Sequence, residues 1–155
     1  MITHGQSFSG GCLCGAVRYV VTGPSLFESQ CCCRDCQRAT GTGHTTIVGV
    51  LRSQLAVQGE PAVFTNAGES GGTVSRHFCR TCGGRLYTSG SLPGDVVMVQ
   101  AGSLDHPGVV TPQNVIYGKD AVSWDHFDPA LEVFPTYAPF SAETLAAMDP
   151  KAATL

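Results

Sequence analysis

Apolar residues in this chain recur at every second position over short stretches, which is typical of β-strands with one buried face. One stretch between two glycines, for example, puts Val17, Tyr19 and Val21 on the same face. The glycine-proline turn between 55–58 and 62–65 predicts a hairpin. We therefore predict a mainly β fold of short antiparallel strands. The predicted strands are 15–23, 43–51, 55–58, 62–65, 73–78, 85–88, 95–100, 115–117 and 131–134.

Helical patterns are scarce, and the best of them is Ser141–Met148. Ser141 is a suitable N-cap and Pro150 a suitable stop for this short C-terminal helix. Leu145 and Met148 share one side, so we expect the helix to dock on the core through that side.

The length and composition predict one β-rich domain over 1–155. A net charge of -3 and the absence of a lysine-arginine run exclude nucleic acid as a main partner. No apolar run approaches the roughly 20 residues of a membrane helix, and the N-terminus lacks the pattern of a secretory signal. We expect a cytoplasmic protein with no membrane partner, and the oligomeric state stays unknown.

Eight cysteines are grouped along the chain, and grouped thiols are typical of metal sites. In a reducing compartment such clusters bind metals or do redox work rather than form disulfides. The even count would also permit four disulfides, an alternative that the missing secretory signal disfavours. The three clusters are Cys12 with Cys14, then Cys31, Cys32, Cys33 and Cys36, and last Cys79 with Cys82.

The spacing divides these thiols into two kinds of zinc site. Structural zinc takes four protein ligands, whereas catalytic zinc takes three and keeps one position open. Two short cysteine knuckles far apart in sequence indicate a closed site, and three thiols on one short loop indicate an open one. The predicted structural zinc ligands are Cys12, Cys14, Cys79 and Cys82. The predicted ligands of an open, catalytic zinc are Cys31, Cys33 and Cys36.

The eighth thiol, Cys32, has three possible roles: a spare thiol, a small buried hydrophobe or a replacement ligand. Adjacent residues seldom bind one ion together, which favours the spare or buried role. Arg34 and Arg38 flank the loop and could offset its negative charge or attract an anionic substrate. Solvated surface arginines are an equally good interpretation.

Several motifs recur in the order known from one family, and the last of them include Ile116, Tyr117, Lys119 and Trp124. The longer motifs are Gly-Gly-Cys-Leu-Cys-Gly-Ala-Val-Arg-Tyr, Cys-x-Cys-Arg-Asp-Cys-Gln-Arg-Ala-Thr-Gly, Arg-His-Phe-Cys-Arg-Thr-Cys-Gly and Ala-Gly-Ser-Leu-Asp. Over about residues 10–135 the chain resembles the glutathione-dependent formaldehyde-activating enzyme family, also called GFA or CENP-V-like. It departs from the family pattern at Cys32, where members usually carry histidine.

The resemblance implies a Mss4-like β-sandwich or barrel with two zinc ions, divided among the cysteines as above. It also implies a carbon-sulfur lyase-type activity that joins formaldehyde to glutathione, giving S-(hydroxymethyl)glutathione. The expected partners are therefore a small-molecule thiol and a small electrophile. Two alternatives stay open, a zinc-stabilised binding module without chemistry and a thiol redox sensor.

Other candidate residues carry weaker predictions. Lone histidines, such as His77 beside the third cluster, are more often surface or core residues than ligands, so we expect none to bind metal. Asp105 follows a Gly-Ser-Leu turn and either shapes a pocket wall or serves the turn. Tyr117 and Trp124 could line a pocket, but single aromatics in a small β protein favour the core.

Overall fold

The structure is a computed structural model that describes residues 1–3, 6–91 and 94–148. Its helices are α1 (Arg34–Thr40) and α2 (Ala142–Met148), with 3-10 turns at Arg52–Gln54, Ala101–Ser103, Pro107–Val109 and Gly118–Asp120. Its strands are β1 (Ser7–Gly11), β2 (Arg18–Thr22), β3 (Phe27–Cys31), β4 (Thr45–Leu51), β5 (Leu55–Gln58), β6 (Ala62–Ala67), β7 (Thr73–Phe78), β8 (Arg85–Gly90), β9 (Val96–Gln100), β10 (Asn114–Ile116) and β11 (Glu132–Val133).

The strands form two sheets, which confirms the mainly β prediction. The smaller sheet has the order β1-β2-β5, and the larger has the order β11-β10-β3-β4-β9-β8-β7-β6. Most neighbours are antiparallel, but β10 pairs in parallel with both β3 and β11. Those parallel pairs bring the C-terminal third of the chain beside the strand that leads into the second cysteine cluster.

The two sheets bury one shared apolar core. Tyr19 and Val21 of β2 face this core, as their alternation predicts, and they meet Val97 and Val99 of β9. Leu86 of β8 is fully buried in the same cluster. Each such side chain stabilises the fold by about 1.5–3 kcal/mol relative to an exposed position. The core therefore holds the smaller sheet against the centre of the larger one.

The predicted hairpin between 55–58 and 62–65 is wrong. β5 pairs with β2 in the smaller sheet, and β6 pairs with β7 in the larger one. The reason lies in burial: Leu55 and Val57 pack against the shared core, whereas Val63 lies half exposed on an edge strand. The glycine-proline turn is thus a crossover between sheets.

The sequence pattern also missed β1, β3 and α1. β3 reads Phe-Glu-Ser-Gln-Cys and has no apolar alternation, yet Glu28 within it is fully buried. Its carboxylate accepts hydrogen bonds from the Ser25 hydroxyl at 2.8 Å and from the amides of Ile2 and Thr111 at 2.9 and 2.6 Å. A buried carboxylate with three donors is satisfied. Hydropathy alone therefore could not identify this strand.

The C-terminal helix is present and begins as predicted. The Ser141 hydroxyl accepts a hydrogen bond from the Thr144 amide at 3.1 Å, which is N-cap geometry. Leu145, however, is 52% exposed, so the helix lies on the surface and the expected docking through this residue is wrong. The predicted stop at Pro150 lies outside the described residues. Neither described α-helix has the length and apolar character needed to cross a membrane.

Leu86→Ala should lower the free energy of unfolding by about 2–5 kcal/mol, because it removes a fully buried side chain and leaves a cavity. Chemical denaturation with metal present throughout measures the change. Leu145→Ala in the half-exposed helix is the matched control, and we expect a change below about 0.5 kcal/mol. Equal losses in both variants would contradict the assignment of the core.

Candidate metal centres

Four sulfurs from two distant segments meet at one end of the shared core. Cys12 and Cys14 follow β1 of the smaller sheet, and Cys79 and Cys82 connect β7 to β8 of the larger sheet. All four sulfurs lie within 4.8 Å of one another, and the Cys14 sulfur is 3.7 Å from those of Cys12 and Cys79. Sulfurs on a tetrahedral zinc with bonds of 2.3 Å are about 3.8 Å apart. This four-thiol cluster therefore has the size that zinc requires.

Each half of the four-thiol cluster is a tight turn whose amides point at sulfur. The Gly83 amide donates to the Cys79 carbonyl at 2.9 Å, with Gly83 in the left-handed region at φ 72°. Hydrogen bonds from the amides of Gly84 and then Cys14 lower the pKa of the Cys82 thiol to about 6. A Cβ on Gly84 would lie 3.3 Å from the Cys82 sulfur, so glycine keeps this turn close. The amide hydrogen bonds thus favour the thiolate form of Cys82, which is the form that metals bind.

The second cluster contains three sulfurs on the segment that joins β3 to α1. Cys31 is the last residue of β3, and Cys33 is the N-cap of α1, where its sulfur accepts a hydrogen bond from the Cys36 amide at 3.4 Å. The sulfurs of Cys31, Cys33 and Cys36 all lie within 4.8 Å of one another. This three-thiol cluster is the right size for an ion with three protein ligands and one further position.

Hydrogen bonding within the three-thiol cluster favours the ionised form of Cys33. Hydrogen bonds from Cys31 and then Cys36 lower the pKa of Cys33 to about 3. The pKa of Cys31 is raised, first by its hydrogen bond with Cys33 and then by its hydrogen bond with Cys36. Three ionised sulfurs at this distance would repel one another. A divalent cation removes that repulsion, so the donor set fits zinc.

Cys32 stands apart from both clusters. Its side chain is fully buried, which agrees with the role of a small buried residue. Its amide donates to the Ile116 carbonyl at 3.0 Å, and its carbonyl accepts from the Gln37 side chain at 2.7 Å. Gln37 also donates to the Asp120 carbonyl at 2.8 Å. These bonds fix the backbone of the three-thiol segment against β10 and the turn that follows it.

The three-thiol cluster forms part of the wall of a cavity of about 430 Å³. This volume falls in the range of about 300–1,000 Å³ that small-molecule sites occupy. The rest of the wall comes from the face of the larger sheet, from Arg34 and Arg76, and from Tyr117. A molecule in this cavity would lie beside the three sulfurs.

Charged groups at the cavity are mostly paired with each other. The partly buried Arg76 side chain lies 3.3 Å from Asp35 of α1 and donates to the Asn66 side chain. Lys119 and Glu69 form a second, exposed pair at 3.4 Å. Arg34 donates to the Gln37 side chain and has no carboxylate partner among the described residues. Arg34 is thus the cation at this cavity that is open to an anionic ligand.

Arg38, which sequence reasoning paired with Arg34, is exposed and does not line the cavity. The two aromatic candidates also differ. Tyr117 is buried, lines the cavity and takes a left-handed φ of 57° directly after β10. Trp124 is 66% exposed, so the expectation that it lies in the core is wrong. The turn after β10 thus aims one of the two aromatics at the cavity.

The remaining sequence candidates lie outside both clusters. His77 stacks on Tyr87 with ring centroids 4.2 Å apart, and burial lowers its pKa. Asp105 accepts hydrogen bonds from Arg18 at 2.9 and 2.5 Å and from Ser9 at 2.6 Å. The carboxylate therefore joins the turn after β9 to both strands of the β1-β2 hairpin, which is a structural role.

Comparison with known proteins identifies the family. The model of the family described as glutathione-dependent formaldehyde-activating enzyme matches residues 7–120, so the chain belongs to that family. The mainly β architecture with its two cysteine clusters is the Mss4-like fold. A comparison with curated proteins gives no match.

One solved structure with a similar fold is the crystal structure of a Rhodobacter sphaeroides protein from a structural genomics programme. It has 22% sequence identity and a TM-score of 0.51, and the alignment covers 63% of this chain and 87% of that one. At this identity the similarity concerns the fold.

Sequence reasoning gave no role to several residues that line the cavity. Val74 and Arg76 lie two positions apart on β7, so strand alternation places them on one face. The alternation of side chains along the predicted strand 73–78 was therefore the available signal for these two residues. Met98 and Phe140 gave no such signal, because their place at the cavity depends on long-range pairing and on the path of the C-terminal segment.

Cys79→Ala should lower the melting temperature strongly and Cys36→Ala only slightly. Cys79 is buried at the junction of the two sheets, whereas Cys36 lies on one local segment. Thermal unfolding of the zinc-loaded variants, with zinc per chain measured in parallel, checks this. Cys32→Ala is the control, and we expect it to keep the zinc content of the unchanged chain. Equal destabilisation by Cys79→Ala and Cys36→Ala would contradict the distinction between the clusters.

Proposed function

We propose that this chain is a zinc enzyme that adds a thiol such as glutathione to formaldehyde or a related small electrophile, by carbon-sulfur lyase-type chemistry. The observation that carries the proposal is the position of the three-thiol cluster in the wall of a ligand-sized cavity. Family membership supports the reaction class.

In this proposal the two clusters have different tasks. Cys12, Cys14, Cys79 and Cys82 hold a structural zinc, and Cys31, Cys33 and Cys36 hold the catalytic one. Bound to three thiolates, zinc would supply an open position that favours the ionised form of a substrate thiol.

The chain itself would bind and orient the two substrates. Thiol addition breaks the S–H bond, forms a C–S bond and delivers the proton to the carbonyl oxygen. Burial and then the hydrogen bond with Tyr137 raise the pKa of Tyr117, so its hydroxyl stays protonated at neutral pH. We assign Tyr117 the role of a hydrogen-bond donor at the carbonyl oxygen. Arg34 would bind a carboxylate of the thiol substrate, as the cation without a carboxylate partner.

Exchange NMR of glutathione and formaldehyde tests this proposal with the zinc-loaded chain. We expect adduct formation to be faster than in buffer alone, and Cys36→Ala to remove at least about 90% of the acceleration. Tyr117→Phe should reduce kcat by about tenfold or more and leave KM nearly unchanged, because it deletes only the proposed donor.

Cys32→Ala is the matched control, since Cys32 contacts the same segment and belongs to neither cluster. Its acceleration should equal that of the unchanged chain. Two bound zinc ions with no acceleration for glutathione and formaldehyde would contradict the enzyme and favour a zinc-stabilised binding module.

A further inference from the structure

One wall of the cavity is a face of the larger sheet, where apolar side chains lie beside the polar Thr45 and Gln100. Ile47 of β4 and Met98 of β9 line it, and strand pairing puts Met98 directly opposite Gly49. Since Ile47 and Gly49 are two residues apart, all three positions lie on one face of the sheet. A peptide or carboxylate group of a ligand that lay over Ile47 and Met98 would find no hydrogen-bond partner in those two side chains.

Gly49 extends this apolar surface because it leaves room for an aromatic ring. A Cβ at Gly49 would meet the Phe27 ring, so the ring covers the glycine. Phe140 lies against Phe27 with centroids 5.4 Å apart and lines the cavity. The apolar floor is defined as Ile47, Met98 and Phe140, and Phe27 links its sheet part at Gly49 to Phe140.

A second aromatic wall stands beside the apolar floor. Tyr117 and Tyr137 both line the cavity and pack edge to face, with centroids 5.1 Å apart and planes at 75°. Tyr137 remains 52% exposed, so a large part of its ring has no protein partner. An apolar ligand body on the floor would also cover this ring.

Formaldehyde, with one carbon and one oxygen, makes no use of this surface. Beside the thiol whose carboxylate Arg34 would bind, formaldehyde would add little volume to the 430 Å³ and bury little of the apolar floor. Resting on the proposed function, we infer that the electrophile is an aldehyde whose carbonyl carries an apolar body about the size of a phenyl ring. The apolar body lies on Ile47, Met98 and Phe140, and the carbonyl points to the three sulfurs.

The reaction with such an aldehyde is a balanced addition. The S–H bond of the thiol and the π bond of the carbonyl break, the C–S bond forms, and the proton goes to the carbonyl oxygen. The product is a hemithioacetal, and no oxidant or reductant takes part. Apolar contacts that persist into the transition state raise kcat/KM.

The test compares phenylacetaldehyde with formaldehyde on the zinc-loaded chain, with glutathione as the thiol. We expect kcat/KM to be at least about tenfold higher for phenylacetaldehyde, the minimum for burying apolar groups in a fitted site. Met98→Gln keeps the length of the side chain and adds an amide, so the ratio of the two kcat/KM values should fall at least about fivefold. Val63→Gln on the exposed edge strand β6 is the control and should leave the ratio unchanged.

A binding measurement separates the outcomes. 2-Phenylethanol, which has no carbonyl, is titrated while the methyl signal of Met98 is followed by NMR. Acceleration with both aldehydes but no preference for phenylacetaldehyde would overturn this inference and leave the proposed function standing. Acceleration with neither aldehyde, together with a shift of the Met98 methyl signal, would overturn the chemistry and retain the apolar specificity of the cavity. If both the acceleration and the shift are absent, the proposed chemistry and the apolar specificity of the cavity are both overturned.

Discussion

The convergence of four sulfurs from two sheets is the constraint on which the rest of the molecule depends. Cys12 and Cys14 follow the first strand of the smaller sheet, whereas Cys79 and Cys82 form the turn between two strands of the larger one. The shared core lies beside this junction, so the sulfurs and the apolar side chains fix the same relative placement of the sheets. A metal ion bound here would stabilise the folded chain, because the unfolded chain presents no preformed site of this kind.

The three-thiol cluster and its cavity are built on these two sheets but lie away from the four-thiol junction. The three-thiol segment is held by β10 and by Gln37, and the larger sheet supplies the floor of the adjoining cavity. One cluster is thus positioned to hold the fold, and the other borders a space large enough for a ligand. The thiols at the cavity therefore belong to a different part of the chain from those at the junction of the two sheets.

Cysteine spacing predicted the two groupings of thiols. Two distant pairs of close cysteines are typical of a closed zinc site, and three cysteines on one short loop are typical of an open one. Strand alternation predicted most of the larger sheet for a similar local reason. The pattern failed where contacts between distant residues determine the structure. Glu28 is polar but fully buried, and β5 pairs with β2 of the smaller sheet instead of with β6. The cavity floor was equally hidden, since it is the pairing of β3, β4 and β9 that places Phe27, Gly49 and Met98 side by side.

X-ray absorption at the zinc edge, combined with zinc content per chain, tests the central claim most directly. Two zinc ions per chain should give an average of between three and four sulfurs per zinc, with the remaining ligand a lighter atom at the three-thiol cluster. Cys36→Ala should raise the average to four sulfurs by removing the open site. One zinc with four sulfurs in the unchanged chain, and a disulfide in the three-thiol cluster, would contradict the account.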